Sequence, residues 1–193
     1  MSGPWRTAGA WVLALALVAG AGVLTAIKPG DQAVDVPFPV DAAVGVEGTA
    51  RNIAVTVHDV RFASRVTGHP SGARMGTDWS ADGTWLVIDL DAAAVVDEQS
   101  ATLQFATLEV GGTTYSASER MTSLLKEQLV PGLPKTGAIA FELPASVHRG
   151  PGVLFFGLRP DNRLDSIVQV PVDLSRVGSA SSVEIPAPAW SSR

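Results

Sequence analysis

The chain contains no cysteine. That excludes a disulfide framework, a thiol nucleophile, thiolate metal ligands and a lipid-attachment cysteine together. Export stays open, because a domain of ordinary size folds outside the cell without disulfides. There is no G-x-x-x-x-G-K-[ST] loop for nucleotide hydrolysis and no G-x-S-x-G elbow to hold a strained serine nucleophile. The three histidines, His58, His69 and His148, lie in separate segments with neither i, i+4 nor H-x-H spacing, so no zinc site is assembled locally. Acidic residues are missing from the first 27 positions, and all nineteen lie downstream. Against them stand thirteen downstream basic residues, a balance of about −6. That sign disfavours nucleic acid and anionic surfaces as partners of the downstream part. No motif demands a cofactor, and none is expected.

What the amino-terminal stretch has in place of charge is apolar length. Ala8 to Ile27 runs twenty residues without a formal charge. Roughly 20 apolar residues at 1.5 Å rise are what a helix needs to cross ~30 Å of hydrocarbon. A secretory leader would show a basic start, a shorter apolar run and an A-x-A site. Arg6, Trp11 to Val18, and Ala19-Gly20-Ala21 supply those features, with cleavage after Ala21. The apolar run continues to Ile27, however, and length favours an uncleaved signal anchor that contacts the lipid bilayer through residues 8–27. Trp5 and Trp11 suit the headgroup region at the inner end. Ala10/Ala14 and Ala16/Gly20 have the small-xxx-small spacing of packed membrane helices, which arises readily by chance in so Ala-rich a segment. The expected organisation is a cytoplasmic start at 1–7, the anchor at 8–27, a Pro-rich spacer at 28–45, a domain at 46–174 and a flexible tail at 175–193.

The downstream part is short of aromatics and rich in Val, Ala, Gly and Pro, which fits short strands with frequent turns. Ile53, Val55 and Val57 alternate with polar or small residues. Val60 and Phe62 continue out of phase, which predicts a β-bulge or a strand break. Residues 64–83 read as a long surface loop. Thr84 to Val96 is the strongest strand, apolar on both faces in its middle, as a central strand would be. Gly111-Gly112 between two β-rich runs predicts a tight hairpin. Ser118 to Val130 holds the one possible helical turn, stopped by Pro131-Gly132. Lys135 to Leu143, Val153 to Leu158 and Ile167 to Leu174 complete seven or eight strands. The expected fold is all-β, an antiparallel β-sandwich. A parallel α/β arrangement is excluded for want of crossover helices.

Several of these features occur together in a recognisable order. The doubly apolar strand Gly83-Thr84-Trp85-Leu86-Val87-Ile88-Asp89-Leu90 is followed by Gly111-Gly112-Thr113-Thr114-Tyr115, then Leu129-Val130-Pro131-Gly132, then Gly137 to Pro144. This resembles an immunoglobulin-like domain family of unknown function, common in secreted and membrane-anchored proteins of Gram-positive bacteria, especially actinobacteria. The resemblance covers about Gly45 to Leu174. It implies an immunoglobulin-like sandwich outside the cell and brings no catalytic residues. That family is often anchored through a lipidated cysteine, which this chain lacks.

Candidate site residues are few. Asp78, Ser80, Asp82 and Gly83, with Asp89 further on, fall at the EF-hand positions 1, 3, 5, 6 and 12. Position 12 is Asp where that motif uses a bidentate Glu, and the intervening residues read as strand, so Ca²⁺ binding is the weaker expectation. Asp89 and Asp91 share one face of their strand and are expected to meet solvent. Trp85 is expected in the core. Trp79, with Arg74, is expected on the exposed loop as an anchor for a partner, with strand addition at an exposed sheet edge as the other mode of contact. The function expected is a membrane-anchored extracytoplasmic module that binds another envelope protein and is not an enzyme. An exported small-ligand or Ca²⁺-binding domain is the alternative.

Overall fold

The computed structural model describes residues 4–27, 36–70, 77–96, 101–159 and 161–191. The chain divides into two compact units, Met1–Val36 and Pro37–Arg193. In the first, Pro4–Ile27 forms one 24-residue helix, α1. Trp11, Leu13, Leu15, Leu17, Val18 and Val23 are exposed along it. Among the described residues no helix is long and apolar enough to cross a membrane.

Among its described residues the second unit has eleven strands: β1 (Phe38–Asp41), β2 (Gly48–Thr49), β3 (Ile53–Thr67), β4 (Asp78–Ala94), β5 (Phe105–Val110), β6 (Thr113–Ser116), β7 (Lys135–Leu143), β8 (Pro151–Gly157), β9 (Ser166–Asp173), β10 (Gly178–Glu184) and β11 (Ala189–Trp190). They form two sheets. One has the order β1-β9-β8-β5-β6, and the other β10-β3-β4-β7-β11 with β2 on β3. One apolar core lies between them. Ile53, Val55 and Val57 of β3, Leu86, Ile88 and Leu90 of β4, and Ile139 and Phe141 of β7 meet Leu108, Leu154, Phe156, Val168 and Val170 of the other sheet. The expected β-sandwich is the observed architecture.

Local chemistry explains the details. The β5–β6 turn places Gly111 and Gly112 at φ 57° and 78°, which a two-residue type I′ turn requires at both positions. Gly83 is fixed by space. A Cβ there would come within 2.2 Å of the Leu143 carbonyl oxygen, so β4 and the end of β7 approach closely only because the side chain is absent.

Four expected boundaries are corrected. Half of 64–83 is strand, since β3 runs on to Thr67 and β4 begins at Asp78, while 71–76 lie outside the described residues. Within it, four residues of β4 (Ala81 to Thr84) oppose one residue of β3, and that irregularity hid the ladder from a simple alternation count. Phe38–Asp41, expected in the spacer, is a strand parallel to β9, so the sandwich starts at Pro37 and not at residue 46. Residues 118–130 form turns and isolated bridges, with no helix. Ser118 N–H donates to the Ala140 carbonyl and Leu124 N–H to that of Ala138, so β7 takes up their backbone groups.

The expected tail at 175–193 is likewise built into the fold. β10 pairs in parallel with β3, and β11 pairs antiparallel with β7. The segment thus runs from one edge of its sheet to the other across the outer face. Val183 and Ile185 are buried there against Trp85, Val87, Ala138, Ala140 and Met121, a second small core. At the far end the Lys135 ammonium lies 4.3 Å from the Trp190 ring centroid and 2.7 Å from Glu127 Oε2. Polar composition concealed this strap because Val183, Ile185 and Trp190 are too widely spaced to show a period. Ile185→Ala is expected to cost about 2–5 kcal/mol, as truncation at a buried aliphatic site does. At roughly 2–4 °C per kcal/mol for this size, thermal unfolding would fall by about 5–15 °C. An unchanged melting temperature would return the segment to a tail.

Candidate functional site

The outer face of the β10-β3-β4-β7-β11 sheet has two halves. One is apolar and covered by the strap. The other is charged and open, and its charge depends on a register shift in β3. Val57 pairs with Leu90 and Asp59 with Asp89, so His58 is an extra residue. Of the two outcomes that the phase change allows, a β-bulge or a strand break, this is the bulge. Before it Val55 and Val57 point inward, after it Val60 and Phe62 do, and His58, Asp59 and Arg61 are left on the outer side. Bulges recur where a strand must re-aim side chains.

Opposite them stand Asp89 and Asp91. His58 Nε2 lies 3.0 Å from Asp91 Oδ2, and Arg61 Nε lies 3.1 Å from Asp59 Oδ2. Arg61 Nη2 donates to Asp89 Oδ2. These side chains border an open groove of about 490 Å³ lined by His58, Arg61, Asp89, Thr136, Glu184 and Pro186 among others. Arg61 Nε and Asp91 Oδ1 are shut off from water without a well-aligned hydrogen bond, the Arg61–Asp59 contact being an ion pair only. The arrangement sets the Arg61 guanidinium against Asp59 and Asp89, and the His58 ring against Asp91. It latches β3 to β4, and it offers a polar ligand groups with which to exchange those pairings.

Burial dominates the titration of Asp89 and holds its carboxyl above the ordinary range, with Asp59 adding to the effect and Arg61 and His58 opposing it. The proton is therefore held more tightly in the folded than in the unfolded chain. From about pH 4, where an unfolded Asp ionises, up through the folded value, Asp89 makes stability fall as pH rises. In Asp89→Asn that contribution disappears. Urea unfolding of both proteins at pH 4 and pH 7 is expected to show the native chain relatively better off at pH 4. The reverse order would mean that the Arg61 pairing outweighs the cost of burial.

The residues singled out as a cation site do not converge. Asp78, Ser80 and Asp82 are spread along β4, with Asp89 further down the same strand, where residues advance ~3.3 Å each. Among the described residues no three His, Asp or Glu side chains are placed to hold a metal ion. Asp78 pairs instead with Arg65 across the β3–β4 ribbon. Arg74 lies outside the described residues. Trp79, expected as an exposed anchor, is half-buried against the second core, and its carbonyl accepts from Trp85 Nε1 at 3.0 Å. Trp85 is fully buried as expected, though in the second core and not between the sheets. Asp89 and Asp91 do share a face, but both are paired and half-buried where free solvation was expected.

No family model matches this chain, and no curated protein matches it. A solved structure, an uncharacterised β-sandwich protein from Clostridium difficile 630, is similar over 74% of this chain and 99% of its own, with TM-score 0.43 and 15% identity. The sandwich is defined by this chain's own strands and core.

Proposed function

We propose that this is a single-pass membrane protein that holds an immunoglobulin-like sandwich outside the cytoplasmic membrane and acts by binding another envelope protein, not by catalysis. The anchor is supported by α1, whose 24 residues at 1.5 Å rise reach about 36 Å. Within it lies the uncharged run Ala8 to Ile27, twenty residues long. The immunoglobulin-like assignment draws support from strand order. Taking β3, β4 and β7 as A, B and E, and β5, β8 and β9 as C, F and G, each set occupies its own sheet in the A-B-E and C-F-G neighbour order.

The observation that carries the binding role is the state of the sheet edges. β1 carries Pro39, β11 is two residues long and follows Pro188, and β6 is four residues long. Such devices blunt an edge against pairing. β10 is an edge strand of seven residues, Gly-Ser-Ala-Ser-Ser-Val-Glu, with neither Pro nor Lys. An extended partner segment can add there by backbone hydrogen bonds. This edge replaces Trp79, whose half-buried position leaves it little to offer a partner.

Two measurements test the two parts. Alkaline carbonate extraction is expected to leave the full chain in the membrane pellet, while a chain starting at Pro37 is released. Intact mass would separate an uncleaved anchor from a mature chain starting at Gly22. For the edge, Ser181→Pro removes an N–H and stiffens the strand at the one place where the β3 register passes over a residue. Partner recovery from gently solubilised membranes is expected to drop at least tenfold with the melting temperature nearly unchanged. Equal recovery would move the binding surface elsewhere.

A further inference from the structure

Where β7 passes into β8, one cation stands apart from most others of the sandwich. Arg61, Arg65, Arg120, Lys126, Lys135 and Arg176 each lie within ion-pair distance of a carboxylate. Arg149 has no ion pair and no side-chain hydrogen bond among the described residues. The backbone on either side of it is nevertheless fixed. His148 Nδ1 donates to the Ala145 carbonyl at 2.6 Å, a carbonyl being able only to accept. Gly150 N–H donates to Ser175 Oγ at 2.9 Å, and the Gly150 carbonyl accepts from Leu174 N–H at 2.9 Å. These bonds tie the β7–β8 connection to the 3₁₀ turn Leu174–Arg176. On its other side the connection lies against Gly83, where a Cβ would come within 2.6 Å of the Ala145 nitrogen. Arg149 is thus held in place with no use for its charge inside the fold.

Arg149 borders an open pocket of about 390 Å³ between this connection and the start of β10. That volume falls within the ~300–1,000 Å³ of small-molecule sites. Its walls divide by chemistry: Phe62, Leu174 and Val177 are apolar, while Arg149, Ser175 and Ser179 carry hydrogen-bond donors. Ser175 Oγ accepts from Gly150 and keeps its own proton for a ligand, and the Ser179 hydroxyl has no partner among the described residues. No described Asp or Glu lines the pocket. The acids next to its lining in sequence are Asp82 and Asp173, and Asp173 is paired with Arg176 at 3.3 Å. We propose that this pocket binds a small organic acid, its carboxylate on Arg149 and the two serine hydroxyls and its apolar body over Phe62, Leu174 and Val177. A guanidinium offers paired N–H donors that match a carboxylate, and the hydroxyls can fill the acceptor sites that remain. Binding there requires neither the membrane anchor nor strand addition at β10.

The test uses the full chain in lipid nanodiscs and two probes of nearly equal shape, 4-fluorophenylacetate and its neutral amide. Binding is read from ¹⁹F relaxation, with empty nanodiscs as the blank for partitioning. The acid is expected to bind about tenfold more tightly than the amide, the size of one charge-assisted contact. Arg149→Gln is expected to abolish that difference with the melting temperature unchanged, since the side chain bonds to nothing in the fold. Ser179→Phe, which fills the pocket, is expected to weaken both probes. Arg51→Gln is the control, an exposed arginine without an ion pair beside Ser166, about 26 Å along β9 from Leu174. It is expected to change neither affinity. Equal affinity for acid and amide would overturn the proposal, as would an equal loss in Arg51→Gln or unchanged binding in Ser179→Phe. Absence of binding by either probe at millimolar concentration would overturn it as well.

Discussion

Strand β4 has apolar side chains on both its faces, and the rest of the domain is arranged to keep both out of water. Leu86, Ile88 and Leu90 point into the main core, which the β1-β9-β8-β5-β6 sheet closes. Trp85 and Val87 point the other way, where a two-layer sandwich has no third layer to cover them. Burying a large side chain of this kind contributes about 1.5–3 kcal/mol. A cover is therefore worth the ordering of some twenty residues only if it is made mostly of backbone already paired. The 118–124 segment and the carboxy-terminal strap meet that condition. Their backbone groups bond to β7, β3 and the ends of the β3–β4 ribbon, while Met121, Val183 and Ile185 supply the apolar contact.

The same strand stops being apolar at Asp89, and there the cover stops as well. Buried Trp85 and Val87 and half-buried, ion-paired Asp89 and Asp91 are successive positions on one face, so the strap can shield only half of it. The bulge at His58 makes the uncovered half coherent. Without the extra residue, His58 and Asp59 would fall on opposite faces, and one of them would be driven into the core. With it, His58, Asp59 and Arg61 stand together opposite the two aspartates of β4. A one-residue irregularity thus turns a strand that would misplace a charge into one that stitches the sheet from outside.

How much of this was legible follows from the same residues. The sandwich class, the double-sided character of β4, the Gly111-Gly112 hairpin and the bulge were all readable, because each is written in neighbouring residues as a change of period or a need for positive φ. The strap was not, since its few apolar residues have meaning only against Trp85 and Ala140, some 45 to 100 positions earlier in the chain. Trp79 and the EF-hand-like spacing misled for a related reason. A Gly-, Ser- and Asp-rich run reads as loop until it is seen that Val66 pairs with Trp79 and that Gly83 is required by the nearness of Leu143 and Ala145. The charged face was half visible. Its β4 members were recognised as sharing a side, but their partners on β3 depend on a register that no local pattern encodes.

The sheet edge, more than the groove, has bonding capacity to offer a second molecule. A charged groove whose members already satisfy one another gives a ligand only exchange, and exchange of ion pairs near water is close to neutral. An unblunted strand edge is different, because the backbone donors and acceptors on the open side of β10 hold unspent bonding capacity. Backbone pairing of that kind selects an extended polypeptide, whose side chains would alternate between the two faces of the sheet it joins.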